Sequence, residues 1–131
     1  MNDALVQEDV SGDPGNRVAI ATNGLSMEFA GDWILRDLNV EIQRGQTLAI
    51  IGESGCGKST TGKAIMQVPR PTAGSVSLDD VELTTLDPET LRRTRPVLQM
   101  IFQDPISALN PRRSVRDIIA EPLWVWWEEE E

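Results

Sequence analysis

Histidine is absent from this 131-residue sequence, and cysteine occurs once, at Cys56. Without an imidazole, neither a Ser–His nucleophile nor a His-bearing metal site can be assembled. One thiol supports neither a disulfide framework nor a thiolate metal cluster. No apolar run approaches the ~20 residues that cross a bilayer, and no secretory-type leader opens the chain. An excess of positive charge is lacking too. The net charge is −9, and four of the 21 acidic residues are Glu128 to Glu131, which leaves 17 against 12 basic residues over positions 1–127. That balance gives no electrostatic footprint for nucleic acid. The absences describe a cytoplasmic chain of one modest domain without a nucleic-acid partner.

What the sequence does contain is concentrated between Gln46 and Gln67. Thr47 to Ile51 is a short apolar run, the pattern of a strand buried on both faces. Gly52 to Ser59 then fits G-x-x-x-x-G-K-[ST], a phosphate-binding loop, and Lys58 to Gln67 suits a helix with Ala64, Ile65 and Val68 available to pack on a sheet. Strand, loop and helix are the context that the motif's mechanism demands. Gly52, Gly55 and Gly57 permit positive φ, so that backbone N–H groups can converge on an anion without obstruction by Cβ. The first turn of the helix adds unpaired N–H donors and the positive end of its dipole. The motif aims Lys58 at the β and γ phosphates and the Ser59 hydroxyl at Mg²⁺. A Gly-rich strand–helix turn that binds nothing is the bland alternative.

Away from this stretch, residues 1–16 read as a disordered leader rich in Asp, Glu and Gly. Alternation predicts a strand within Val18 to Ala30, a turn at Ala30-Gly31-Asp32, and a half-buried antiparallel strand through Leu38, Val40 and Ile42. Arg44-Gly45 turns the chain into the phosphate-loop strand. Pro69 to Gly74 breaks the chain, and Ser75 to Leu78 and Val81 to Leu83 read as a hairpin around Asp79-Asp80. The hairpin removes a decoy, the misreading of Val76 to Asp80 as the acidic, Mg²⁺-associated strand of a nucleotide hydrolase. Asp87-Pro88 predicts an N-capped helix through Arg93. Val97 to Phe102 predicts a strand leading into Gln103, followed by a Pro-interrupted loop to Arg113. Ser114 with Asp117 has capping-box spacing and should open a helix through Glu121, ending at Pro122.

Together these residues resemble the nucleotide-binding domain of ABC transporters. Gly52 to Thr60 (Gly52, Glu53, Ser54, Gly55, Cys56, Gly57, Lys58, Ser59, Thr60) is similar to that family's phosphate loop, or Walker A motif, in its commonest wording. Ile101-Phe102-Gln103-Asp104-Pro105 resembles its Q-loop. Ser107 to Arg112 and Ile118 to Leu123 look like the dipeptide, oligopeptide and nickel importer subgroup. The resemblance implies an α/β fold of the P-loop NTPase type with an antiparallel β subdomain. It implies an ATP-binding subunit that couples ATP binding and hydrolysis to import of peptides, or of nickel, with ATP and Mg²⁺ as cofactors. Phe29 matches the aromatic ring placed against adenine, although a strand aromatic belonging to the core is an equal reading. Gln103 matches the glutamine whose side-chain oxygen reaches Mg²⁺ and the attacking water. The implied partners are a second nucleotide-binding subunit, permease subunits meeting the segment from Gln103 to Arg116, and indirectly a solute-binding protein, at the cytoplasmic face of the membrane. Arg112, Arg113 and Arg116 are candidate contacts there, or a solvated basic face.

The match covers about Leu25 to Leu123 and then stops. No Leu-Ser-Gly-Gly-Gln signature, no acidic strand followed by a catalytic Glu and no switch histidine follows. The resemblance is therefore to the N-terminal portion of such a domain, residues 17–123, truncated after the Q-loop region. The Trp/Glu tail over 124–131 has no counterpart, and a truncation or reading-frame change after Leu123 is the expectation. Three rivals compete: a soluble, non-transport ABC-type ATPase, a non-functional remnant of a transporter subunit, and a small-molecule P-loop kinase. The strand-rich stretch before the loop disfavours the kinase.

Overall fold

A computed structural model describes residues 5–8 and 17–127. They fall into two compact units, one within residues 1–99 and one within residues 100–131.

The first unit is organised around strand β2 (Val18–Phe29), which buries Thr22, Leu25 and Met27; the step of three from Thr22 to Leu25 coincides with a shift of register against β3. A two-residue turn, Ala30-Gly31, joins it to β3 (Asp32–Gln43), with φ of 53° and 92°. Both are positive, as the mirror-image hairpin turn requires. On its other side β2 pairs with β5 (Ala73–Leu78), and β6 (Val81–Glu82) completes an antiparallel sheet in the order β3-β2-β5-β6. Gly74 permits the approach of β5 to β2, since a Cβ there would lie 2.3 Å from the Gly24 carbonyl oxygen. Asp79 and Asp80 form the second such turn, with φ of 47° and 69°, and Asp79 also pairs with Arg44 at 2.5 Å. The decoy reading of these aspartates is thereby excluded.

Helix α1 (Lys58–Ile65) lies on β2 and β3 and buries Ala64. After the 3₁₀ turn Leu83–Thr85, helix α2 (Pro88–Thr94) is capped by the Asp87 carboxylate, which accepts from the Glu89 and Thr90 N–H groups at 3.0 and 3.1 Å. The core is Leu25, Met27, Ala64, Val76, Leu83 and Leu91, with Leu35, Leu38, Ile65, Leu78, Leu86 and Leu98 packed around it.

Several expectations need correction. Strand β4 (Thr47–Ile50) is not buried on both faces: Thr47 and Ala49 are exposed, and Ile51 is 61% exposed. Its partner is β1 (Leu5–Glu8), antiparallel, with Leu5 opposite Ile50 and Glu8 opposite Thr47. Double-sided burial needs strands and covering helices that the described residues do not provide. Strand β1 also interrupts the leader expected over 1–16, the rest of which lies outside the described residues. Helix α1 ends before Val68 because Gln67 turns left-handed at φ 58°, and Val68 is half exposed. No strand forms over Val97 to Phe102. A strand needs a neighbour for its N–H and C=O groups, and no described strand pairs with these residues.

The second unit is helical. The expected loop after Gln103 contains the one-turn helix α3 (Pro105–Ala108), capped by Asp104. Helix α4 (Val115–Trp127) opens as predicted, with Ser114 Oγ accepting from the Asp117 N–H at 3.2 Å and donating to the Asp117 carboxylate at 2.8 Å. It does not end at Pro122. Proline removes one donor and crowds the preceding turn, but later residues still donate to carbonyls one turn back. Residues 124–127 of the expected tail therefore form the last turn of α4, and residues 128–131 lie outside the described set.

Candidate nucleotide-binding site

Backbone conformation builds the loop between β4 and α1. Gly55 and Gly57 adopt φ of 85° and 94°, the left-handed region that glycine enters without strain. Gly52 is not among the positive-φ residues, which corrects the expectation for that position. The Cys56 N–H donates to the Glu53 carbonyl at 3.3 Å and closes a turn over Ser54 and Gly55. Gly57 is the N-cap of α1, and its carbonyl receives both the Thr61 N–H at 2.8 Å and the Thr61 hydroxyl at 3.0 Å. Thr61 is buried. It belongs to the site's framework and was not singled out in the sequence, although its spacing of four from Gly57 is the available signal.

No side chain caps the first turn of α1, and that turn carries no acidic residue. Its N–H groups and positive dipole end therefore remain available to an outside anion. Lys58 folds back over the loop: its Nζ donates to the carbonyl oxygens of Gly52 at 2.7 Å and Glu53 at 2.6 Å, and lies 3.5 Å from Cys56 Sγ. Both oxygen acceptors are neutral, so phosphate oxygens can replace them with a stronger, charge-assisted bond. Ser59 is exposed and Thr60 half-buried at the same end of α1. The donor set fits a polyphosphate, with the Ser59 hydroxyl free to meet a hard cation.

Phe29 closes β2 at the hairpin turn and is 46% exposed. A ring that far out is available to a ligand, and the core cluster does not include it. The hairpin is tied to the loop through β3, because a Cβ on Gly57 would lie 3.1 Å from the Ile34 carbonyl oxygen and 3.0 Å from Leu35 Cδ2. A side chain at 57 would thus crowd β3 as well as strain the backbone at φ 94°.

In the second unit, Gln103 is exposed and immediately precedes the cap of α3. The Asp104 carboxylate accepts from the Ile106 and Ser107 N–H groups at 3.1 and 3.2 Å. These bonds, that of Ser107 first, hold its pKa below the ordinary value. Arg113 pairs with Glu121 at 2.6 Å, while Arg112 and Arg116 are exposed.

A family model described as ABC transporter matches residues 35–131. The chain belongs to the ABC transporter family. It is 41% identical over 103 residues to the oligopeptide transport ATP-binding protein AppF of Bacillus subtilis, covering 77% of this chain and 31% of that protein. To the nickel import ATP-binding protein NikE of Brucella suis it is 46% identical over 90 residues, covering 69% of this chain and 34% of the relative. To the oligopeptide transport ATP-binding protein OppF of Escherichia coli it is 45% identical over 86 residues, with 66% and 26% covered. This ABC family chain therefore spans about a quarter to a third of the length of the curated relatives it matches. Among solved structures, the dimeric structure of MJ0796, described as a bacterial ABC transporter cassette, aligns with a TM-score of 0.65 at 24% identity, covering 81% of this chain and 47% of that one. That likeness is one of fold, the P-loop NTPase fold. Among the described residues of this ABC family member, no helix is long and apolar enough to cross a membrane.

Proposed function

We propose that this chain carries the ATP-binding portion of an importer subunit for peptides or a related solute such as nickel. The observation that carries the nucleotide reading is the uncapped first turn of α1 behind a loop turned by Gly55 and Gly57, with Lys58 bonded to the neutral carbonyls of Gly52 and Glu53. The loop N–H groups from Gly52 to Thr60 would bind the phosphates, Lys58 would take the β and γ oxygens, and the Ser59 hydroxyl would hold the metal. Magnesium, when bound, supplies charge neutralisation at the β and γ oxygens. Phe29 would stack on adenine, an interaction worth about 1–3 kcal/mol by analogy with base–aromatic stacking. Gln103 would contribute its side-chain oxygen to the metal and the attacking water.

The transport reading is supported by the relatives, whose printed names are oligopeptide and nickel import proteins. On this reading the chain works with a second nucleotide-binding subunit and with permease subunits that meet the segment from Gln103 to Arg116. A solute-binding protein delivers the cargo. It would sit at the cytoplasmic face of the membrane, held there by its permease partners.

The test is titration of the full chain with a fluorescent ATP analogue in the presence of Mg²⁺. Charge-assisted bonds contribute about 1.5–3 kcal/mol, so Lys58→Ala should weaken binding by roughly tenfold or more. Equal affinity in the two proteins would reject the assignment.

A further inference from the structure

Helix α4 carries most of its charges the wrong way round for its own dipole. A helix favours carboxylates near its N-terminus and cations near its C-terminus. Around α4 the order is reversed. Arg112 and Arg113 stand just before Ser114, Arg116 lies in the first turn, and Glu128 to Glu131 follow Trp127 in the sequence. Asp117 suits the dipole, and it is engaged with Ser114. Asn110 fixes the two leading arginines: its carbonyl accepts from the Arg113 N–H at 3.1 Å and its side-chain oxygen from the Arg112 N–H at 3.0 Å. Arg113 is paired with Glu121, whereas Arg112 and Arg116 are exposed. On the same helix Val115, Ile119 and Leu123 recur at every fourth position and are 73%, 70% and 63% exposed. That spacing makes one ridge, with Arg116 on its border and Asp117 and Glu121 on the far side. At those exposures no described element covers the ridge.

We propose that this ridge is a self-association surface, which takes α4 of a second copy of this chain in antiparallel orientation. In that orientation the arginine end of each helix meets the glutamate end of the other. Charges that oppose each helix's own dipole then attract at both ends of the pair. A parallel pair would set arginines against arginines and glutamates against glutamates. The antiparallel pair is two-fold and closed, so it gives a dimer and not a polymer. An anionic bilayer is a poorer occupant, because the four glutamates repel it. With α4 only about 20 Å long at its rise per residue, the interface is small and the dimer should be weak and concentration-dependent. No residue of the phosphate loop takes part, so the surface is independent of the nucleotide reading.

The experiment is sedimentation equilibrium of the full chain without nucleotide, over a range of concentrations. A reversible monomer–dimer equilibrium that weakens with added salt is expected. Ile119→Ser removes one isoleucine from each copy and should weaken the dimer about tenfold or more. Arg112→Glu with Arg116→Glu should weaken it at least about threefold, since exposed ion pairs are lost at both ends. Adding Glu128→Lys, Glu129→Lys, Glu130→Lys and Glu131→Lys to that variant should restore the dimer, which an antiparallel pair allows and a parallel one does not. Lys58→Ala should leave association unchanged, and circular dichroism checks that each variant keeps its helices. A monomer at every concentration, a dimer indifferent to Ile119→Ser, open-ended aggregation, or failure of the double reversal to restore association would overturn the proposal. Recruitment of a monomer to phosphatidylcholine vesicles through Ile119 would assign the ridge to lipid and overturn it too.

Discussion

The four-stranded sheet and the segment from Met100 to Trp127 differ sharply in how they keep apolar side chains from water. In the sheet, Leu25 and Val76 are wholly buried, and Met27 is 2% exposed. In the segment, Ile101 is 94% exposed, Ile106 84% and Ile119 70%. Both stretches are comparably apolar in sequence. The difference lies in where the partners come from. Two-residue turns join β2 to β3 and β5 to β6, β5 pairs antiparallel with β2, and α1 and α2 add Ala64 and Leu91 to the same core. Residues 97–102 have no paired strand among the described residues, and β4, the strand that carries the phosphate loop, has β1 alone. The four-stranded sheet under α1 thus completes its own pairing, whereas β4 and the segment with Gln103 do not.

The largest expected effect tests whether binding and turnover divide along that line. The 131-residue chain, assayed alone for phosphate release with Lys58→Ala as the blank, should hydrolyse ATP at least about 10²–10⁴-fold more slowly than an intact transporter ATPase, the usual loss for one missing general base. Of the two carboxylates flanking the motifs, Asp104 is occupied with the Ile106 and Ser107 N–H groups, and Glu53 belongs to the loop itself. Steady Lys58-dependent turnover at an ordinary rate would break the comparison.

Next in size is the packing contrast itself. Leu25→Ala should lower stability by about 2–5 kcal/mol, the transfer and cavity cost of a buried leucine. Ile101→Ser should stay within about 0.5 kcal/mol, as exposed positions do. Urea unfolding followed by circular dichroism gives both values, and a large loss at Ile101 would mean that the second unit has a core of its own.

The smallest effect separates two caps of the same chemistry. The Asp87 carboxyl is held below its ordinary pKa of 3.8, first by the Thr90 hydroxyl and then by the Thr90 N–H. A depressed carboxylate contributes stability above its unfolded pKa and loses it as pH falls through the folded one. Acid should therefore weaken α2 below about that ordinary value, and Asp87→Asn should blunt this limb while keeping the cap. Because α2 buries Leu91, the change should appear in the global melt. Asp104→Asn on the four-residue α3 should show only in local amide exchange at Ile106 and Ser107. A global shift from Asp104→Asn would contradict the division into two units.

The sequence by itself determined the features whose physics is local. Gly-rich spacing before Lys58 announced the phosphate loop, Asp87-Pro88 and Ser114 with Asp117 announced two helix starts, and Asp79-Asp80 announced a turn, because each is decided within a few residues. Alternation was enough for β2 and for the half of β3 through Leu38, Val40 and Ile42, since these antiparallel neighbours are close in the chain. Tertiary structure alone decided the rest. The apolar runs Thr47–Ile51 and Val97–Phe102 looked equally strand-like, yet one found a partner in Leu5–Glu8 and the other found none. Helix α4 passed Pro122, where a local rule placed its end. The register shift by which β3 passes from Leu35 to Trp33 while β2 advances from Met27 to Glu28 has no mark in the sequence. It is fixed by pairing with β2 and by the approach of Gly57, both of which depend on residues distant in the chain.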